Sequence, residues 1–138
     1  MTKVSVSQRI AADAEKVWEL IGDFNGLPAW AAGVTDSSVD GADVGAVRSV
    51  GLPGGRRLKE RLESLDEVGR SYSYSIVEGA AGTQDYLSTL KVWANRDGSA
   101  EVVWSSEFEV VDAPEDEVRS RIEGFYRASL ERVRDRFA

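Results

Sequence analysis

The chain has 138 residues, 42% hydrophobic and 30% charged, the size and balance of one soluble globular domain whose core needs no disulfide or structural metal. It contains no Cys and no His, which excludes thiolate nucleophiles, Ser-His-Asp and Cys-His catalysis, and His- or Cys-ligated zinc. The formal net charge of −7 opposes contact with phosphate backbones, so no nucleic-acid partner is expected.

In chain order, residues 4–10 alternate with period two and read as a first strand. Asp13 can cap a helix whose apolar face includes Val17, Trp18, Leu20 and Ile21. Residues 22–30 break that helix and lead into a second short one, with Pro28 near its first turn. From Val34 to Val111 the pattern becomes strands and turns. Gly41 and Gly45 punctuate the second and third strands, and residues 52–55, 66–69 and 95–98 read as hairpin turns. A looser loop over 78–83 joins two strands. Asp112-Ala113-Pro114-Glu115 then opens a last helix with a capping-box-like pattern and an early proline. Val118, Ile122, Phe125, Tyr126, Val133 and Phe137 fall near one face of it, and it extends about 25 residues to the chain end. One domain over 1–138 is expected, ordered strand, two short helices, six strands, long helix. No apolar run approaches the ~20 residues of a membrane span and no signal-peptide pattern opens the chain, so a cytoplasmic protein is expected.

The turns predict register, and side chains alternate between the faces of a strand. The turn at 53–55 sets Arg48 opposite Glu60. The turn at 67–68 sets Leu62 opposite Tyr74 and Glu60 opposite Ile76. The 79–83 loop sets Ile76 opposite Tyr86 and Tyr74 opposite Ser88. The turn at 96–98 sets Leu90 opposite Trp104, Ser88 opposite Ser106 and Tyr86 opposite Phe108. One face then carries Arg48, Glu60, Leu62, Tyr72, Tyr74, Ile76, Tyr86, Ser88, Leu90, Trp104, Ser106 and Phe108. The other carries Ser71, Ser73, Ser75, Asp85, Thr89, Lys91 and Glu107 among others, with Trp93 and Val103 as apolar exceptions. The first face is unusually polar for a plain core. Buried polar groups need partners or a cavity, and an aromatic concave surface with a few convergent polar groups is the pattern of a small-molecule pocket. A solid core with every hydroxyl bonded to backbone is the competing reading.

The chain resembles the START-like, SRPBCC superfamily in its bacterial polyketide cyclase/dehydrase-type branch. The resemblance is carried by Val17-Trp18-Glu19-Leu20-Ile21-Gly22-Asp23-Phe24, Leu27-Pro28-Ala29-Trp30, Gly45-Ala46-Val47-Arg48, Glu60-Arg61-Leu62-Glu63-Ser64-Leu65-Asp66, Tyr72-Ser73-Tyr74-Ser75-Ile76, Asp85-Tyr86-Leu87-Ser88-Thr89-Leu90 and Val103-Trp104. It covers nearly the whole chain and implies an α+β helix-grip fold, in which a curved antiparallel sheet of about seven strands wraps a long C-terminal helix. Relatives in that superfamily include ligand carriers, receptors and cyclases, so fold does not choose function.

Eleven residues are candidates for contact with a ligand: Trp30, Arg48, Glu60, Tyr72, Tyr74, Tyr86, Ser88, Trp104, Ser106, Phe108 and Phe125. Arg48 could anchor a carboxylate or enolate oriented by Glu60, or the two could form a structural ion pair. The three tyrosines suit hydrogen-bond donation better than base work, with cross-strand packing as the alternative. Trp30 either stacks on a ligand or plugs one end of the core. The 52–57 turn either gates the cavity or is a plain turn; it lacks the spacing and Lys of a phosphate loop. No metal site or cofactor is implied. The leading reading is a carrier of a small hydrophobic or aromatic molecule, as a monomer or weak dimer. A cyclase/dehydratase acting by confinement and a regulatory protein-interaction module are the alternatives.

Overall fold

The computed structural model describes residues 1–138. Strand β1 (Thr2–Ile10) is followed by helix α1 (Ala14–Ile21), a 3-10 turn at Leu27–Ala29, β2 (Asp36–Val39), β3 (Val47–Gly51) and a second 3-10 turn at Pro53–Gly55. The chain continues through β4 (Arg57–Asp66), β5 (Ser71–Glu78), β6 (Thr83–Ala94) and β7 (Ala100–Val110) to helix α2 (Glu115–Arg136). All seven strands form one antiparallel sheet in the order β1-β7-β6-β5-β4-β3-β2. This is the helix-grip architecture. No helix is long and apolar enough to cross a membrane.

Local chemistry explains the ends of the helices. The Asp13 carboxylate accepts from the Lys16 backbone N–H at 3.0 Å, capping α1. The second short helix expected after residue 22 shrinks to one 3-10 turn with Pro28 in it. Trp30 leaves that turn in a non-helical conformation (φ −144°) because its ring is drawn into the core, where it is 1% exposed. The capping box expected at Asp112 is absent. Asp112 takes a left-handed conformation (φ 55°) two residues ahead of the cap, which is Pro114 and makes no side-chain hydrogen bond. Glu115, Asp116 and Glu117 in the first turn of α2, and Arg134 and Arg136 in its last, complement the helix dipole instead.

The pairings Arg48–Glu60, Glu60–Ile76, Leu62–Tyr74, Tyr74–Ser88, Ser88–Ser106 and Leu90–Trp104 all occur. Three bulges modify the rest. Val77 is an extra residue between the Lys59–Glu78 and Glu60–Ile76 pairs. Glu63 is an extra residue between the Leu62–Tyr74 and Ser64–Ser73 pairs. On β6, Asp85 and Tyr86 together oppose Phe108, with Asp85 at φ 54°. The expected ladder pairs Ile76–Tyr86 and Tyr86–Phe108 are therefore not formed. The bulge nonetheless returns Tyr86 to the concave face, where its ring stacks on Phe108 at 5.8 Å and 23°.

Helix α2 lies across this concave face. Val118, Tyr126, Ser129, Leu130 and Val133 are buried along it, and the Tyr126 ring stacks on Trp104 at 4.2 Å and 12°. Two polar ties set its position: Ser129 Oγ accepts from the Ala32 N–H at 2.9 Å, and Arg119 Nη1 donates to the Lys3 carbonyl at 2.9 Å. Leu130 is 0% exposed within the core. Leu130→Ala is expected to lower stability by about 2–5 kcal/mol, through lost burial and the cavity left behind, read as an earlier midpoint in urea denaturation.

Candidate functional site: a cavity beneath the C-terminal helix

Arg48 and Glu60 face each other across β3 and β4, and both lie on the concave side. Arg48 Nε donates to Glu60 Oε1 at 2.8 Å, with the two side chains 0% and 7% exposed. Nη1 donates to the Phe24 carbonyl at 2.6 Å and lies 3.5 Å from the Tyr72 hydroxyl. The guanidinium stands 4.0 Å from the Phe24 ring centre and 4.8 Å from that of Tyr74, so aromatic faces enclose it. Only Nη2 lacks a hydrogen-bond partner. Burial alone would favour losing the charge, but neighbouring Tyr72, Glu60 and Tyr74 raise its pKa further above an already very high ordinary value. Arg48 is a permanent buried cation whose counter-ion is Glu60.

A second polar system runs through the core beside it. Ser88 Oγ donates to the Ser105 carbonyl at 3.0 Å and accepts from Trp104 Nε1 at 2.9 Å. The Tyr126 hydroxyl is 3.1 Å from Ser88 Oγ and forms a short hydrogen bond with the Tyr86 hydroxyl. Trp104 Nε1 also reaches the Tyr74 hydroxyl at 3.2 Å. Burial raises the pKa of Tyr72, Tyr74, Tyr86 and Tyr126, because a phenolate would lose its hydration there.

Between this floor and α2 the packing opens into a cavity of about 430 Å³, within the ~300–1,000 Å³ typical of small-molecule sites. Glu60, Tyr74, Ile76 and Tyr86 form its sheet side, and Ile122, Phe125 and Tyr126 of α2 form its roof. The rim comes from the turn carrying Leu52, Pro53 and Arg56, and from Ala80, Ala81 and Arg121. Arg121 Nη2 donates to the Ala81 carbonyl at 2.5 Å and ties the 79–82 loop to the helix. Glu60 is the lone carboxylate on the lining.

Of the eleven residues singled out in the sequence, Glu60, Tyr74, Tyr86 and Phe125 line this cavity. Trp30, Arg48, Tyr72, Ser88, Trp104, Ser106 and Phe108 do not; they share the face but are sealed within packed core. Tyr126 and Trp30 cover Trp104, Phe24 and Trp18 cover Tyr72, and Tyr86 covers Phe108. Ser88 is spent on hydrogen bonds, and Ser106 Oγ is buried without a partner. Arg48 lies behind Glu60, so it can act on a ligand only through that carboxylate. Ile122, Arg121 and Tyr126 were not among the candidates. The i, i+4 spacing of Ile122 and Tyr126 marks an inward stripe, but it does not separate a stripe packed on the sheet from one roofing a void; Arg121 is exposed and off that stripe.

The geometry defines a START-like ligand-binding fold. Residues 1–138 match the family described as polyketide cyclase / dehydrase and lipid transport, and the chain belongs to it. The chain is 35% identical over 119 residues to the abscisic acid receptor PYL2 of Arabidopsis thaliana, a match taking in 80% of this chain and 62% of the receptor. Among solved structures, XoxI from Bacillus cereus superposes with a TM-score of 0.93 at 32% identity, covering 99% of this chain and 96% of that one. A Bacillus thuringiensis protein gives 0.91 at 31% identity over 99% and 98% of the two chains. A Thermobifida fusca protein gives 0.90 at 28% identity over 99% and 93%.

Two outcomes follow from the buried groups. Arg48→Met leaves Glu60 without its counter-ion and is expected to cost about 3–5 kcal/mol, whereas the double change Arg48→Met with Glu60→Leu recovers most of it; urea denaturation of both variants checks this. All four tyrosines of the chain are buried with raised pKa. Above about pH 10 the unfolded chain loses phenolic protons that the folded chain retains, so stability falls as pH rises. The phenolate absorbance at alkaline pH is expected to rise only together with loss of the fold, with no earlier step.

Proposed function

We propose that this protein binds and carries a small, mostly apolar molecule of lipid or polyketide type in the cavity between sheet and α2. The carrying observation is that cavity: about 430 Å³, walled mainly by aliphatic and aromatic side chains, with one carboxylate and the Tyr74 and Tyr86 side chains on its sheet side. Few convergent polar groups in an apolar hollow orient a ligand without demanding its transformation. The family description names lipid transport beside cyclase chemistry, and the Arabidopsis relative is named as a receptor for a small molecule, abscisic acid. Both agree with a binding role.

A cyclase/dehydratase is the second reading, favoured by the placement of Glu60 on the cavity wall beside the Tyr74 phenol. In that reading Glu60 takes a proton from a confined polyketone and positioning supplies most of the rate. Arg48, enclosed behind Glu60, does not touch the substrate. Turnover of a poly-β-ketone mimic that Glu60→Gln suppresses, with folding retained, would favour this reading over carriage.

Native mass spectrometry of freshly purified protein, followed by organic extraction, is expected to show a bound apolar molecule. Resupplying the extracted compound to stripped protein should raise the melting temperature, by the equivalent of about 2.7 kcal/mol at a hundredfold excess over Kd. Ile122→Trp, which fills the roof of the cavity, should remove that shift while leaving the fold intact. Protein that carries nothing and responds to no apolar compound in a thermal screen would count decisively against the reading.

A further inference from the structure

We propose that the ligand's buried end is a neutral hydroxyl, one that accepts from Tyr74 and donates to Glu60 or Tyr86, and that the floor of the cavity rejects a carboxylate. This rests on the binding role proposed above and adds the chemistry of the ligand's inner end.

The argument follows the protons. A carbonyl oxygen only accepts, so the Ser88 hydroxyl proton lies on its bond to the Ser105 carbonyl. Ser88 Oγ must then be the acceptor toward both Trp104 Nε1 and Tyr126. With its proton committed to Ser88, Tyr126 can only accept from Tyr86. The chain therefore runs one way: Tyr86 to Tyr126 to Ser88 to the Ser105 carbonyl. Tyr86 has no proton left for a ligand and offers only oxygen lone pairs to the cavity it lines. Tyr74 is the converse case. Its oxygen accepts from Trp104 Nε1, and the neighbouring Ser88 Oγ already has both lone pairs taken by Trp104 and Tyr126, which leaves the Tyr74 proton for the cavity.

Glu60 supplies the remaining lone pairs. Its Oε1 is taken by Arg48 Nε, no protein donor engages Oε2, and the residue is on the cavity wall. The floor thus offers one donor and two acceptors, one of them the Glu60 carboxylate. A hydroxyl both accepts and donates, so it satisfies this set. Among Glu60, Tyr74 and Tyr86 only Tyr74 has a proton to give a carboxylate, which would also bring a second negative charge against Glu60. Arg48 cannot compensate it, being 0% exposed behind Glu60, and the two other cations that line the cavity, Arg56 and Arg121, stand at its rim and not beside Glu60.

Equilibrium dialysis of the full chain with naphthalene, 2-naphthol and 2-naphthoate near pH 7 tests this directly. 2-Naphthol is expected to bind at least about tenfold tighter than 2-naphthoate, and tighter than naphthalene. Glu60→Gln should narrow the naphthol-to-naphthoate ratio several-fold, because an amide can donate to the carboxylate. Tyr86→Phe should weaken naphthol while sparing naphthalene. If Glu60→Gln does not fold, Tyr86→Phe and the wild-type ratio decide the matter. Naphthoate binding as well as or better than naphthol, or a ratio indifferent to both variants, overturns the proposal. Equal binding of all three compounds overturns it while the carrier reading survives; failure of all three to bind ends both.

Discussion

The concave face of the sheet holds a full guanidinium charge that water does not reach, and much of the surrounding arrangement answers to it. An uncompensated cation there would cost several kcal/mol. The compensation comes from Glu60 on the next strand, the Phe24 carbonyl from the segment after α1, and the faces of Phe24 and Tyr74. Meeting those demands fixes the chain after α1 against β3 and holds the Glu60 side chain in one orientation. Glu60 then reaches the cavity as a positioned group, with its second oxygen free of any protein donor.

The tyrosine–serine–tryptophan system does the same for the far side of the cavity. The Ser88, Tyr126 and Tyr86 hydroxyls are each spent on a neighbour, so that part of the floor is not a set of freely rotating donors. With no His or Cys in the chain, and with the tyrosines pushed away from ionisation by burial, this constellation is suited to recognition.

Much of the fold was legible because turns and alternation carry register. The 53–55 turn alone puts Arg48 opposite Glu60, and that pairing holds. The site was legible in direction but not in depth. Alternation says that Trp104 and Tyr74 face the same way. It does not say that Tyr126 will lie flat on the first at 4.2 Å and leave the second facing a void. That distinction depends on the tilt and reach of α2, set by long-range ties such as Arg119 to the Lys3 carbonyl, which leave no local pattern. The β6 bulge escaped for a related reason. Asp85 is an ordinary outward residue by alternation, and its left-handed backbone is a response to closing the loop before it. The expected cap at Asp112 failed because composition shows which residue can cap, not which conformation the preceding turn will impose.

The division of labour in α2 has an evolutionary consequence. Tyr126, Leu130 and Val133 are committed to the core, whereas Arg121, Ile122 and Phe125 on the adjoining turns are rim and roof. These three positions take no part in the strand ladder, the Arg48 cage or the tyrosine relay. Exchanging Ile122 or Phe125 for residues of other bulk would reshape the apolar end of the cavity, at the cost of the packing each makes against the core, while the polar floor stayed as it is. On the proposed carrier role, a lineage built on this scaffold can therefore drift among ligand bodies of different bulk while the groups at the buried end stay the same.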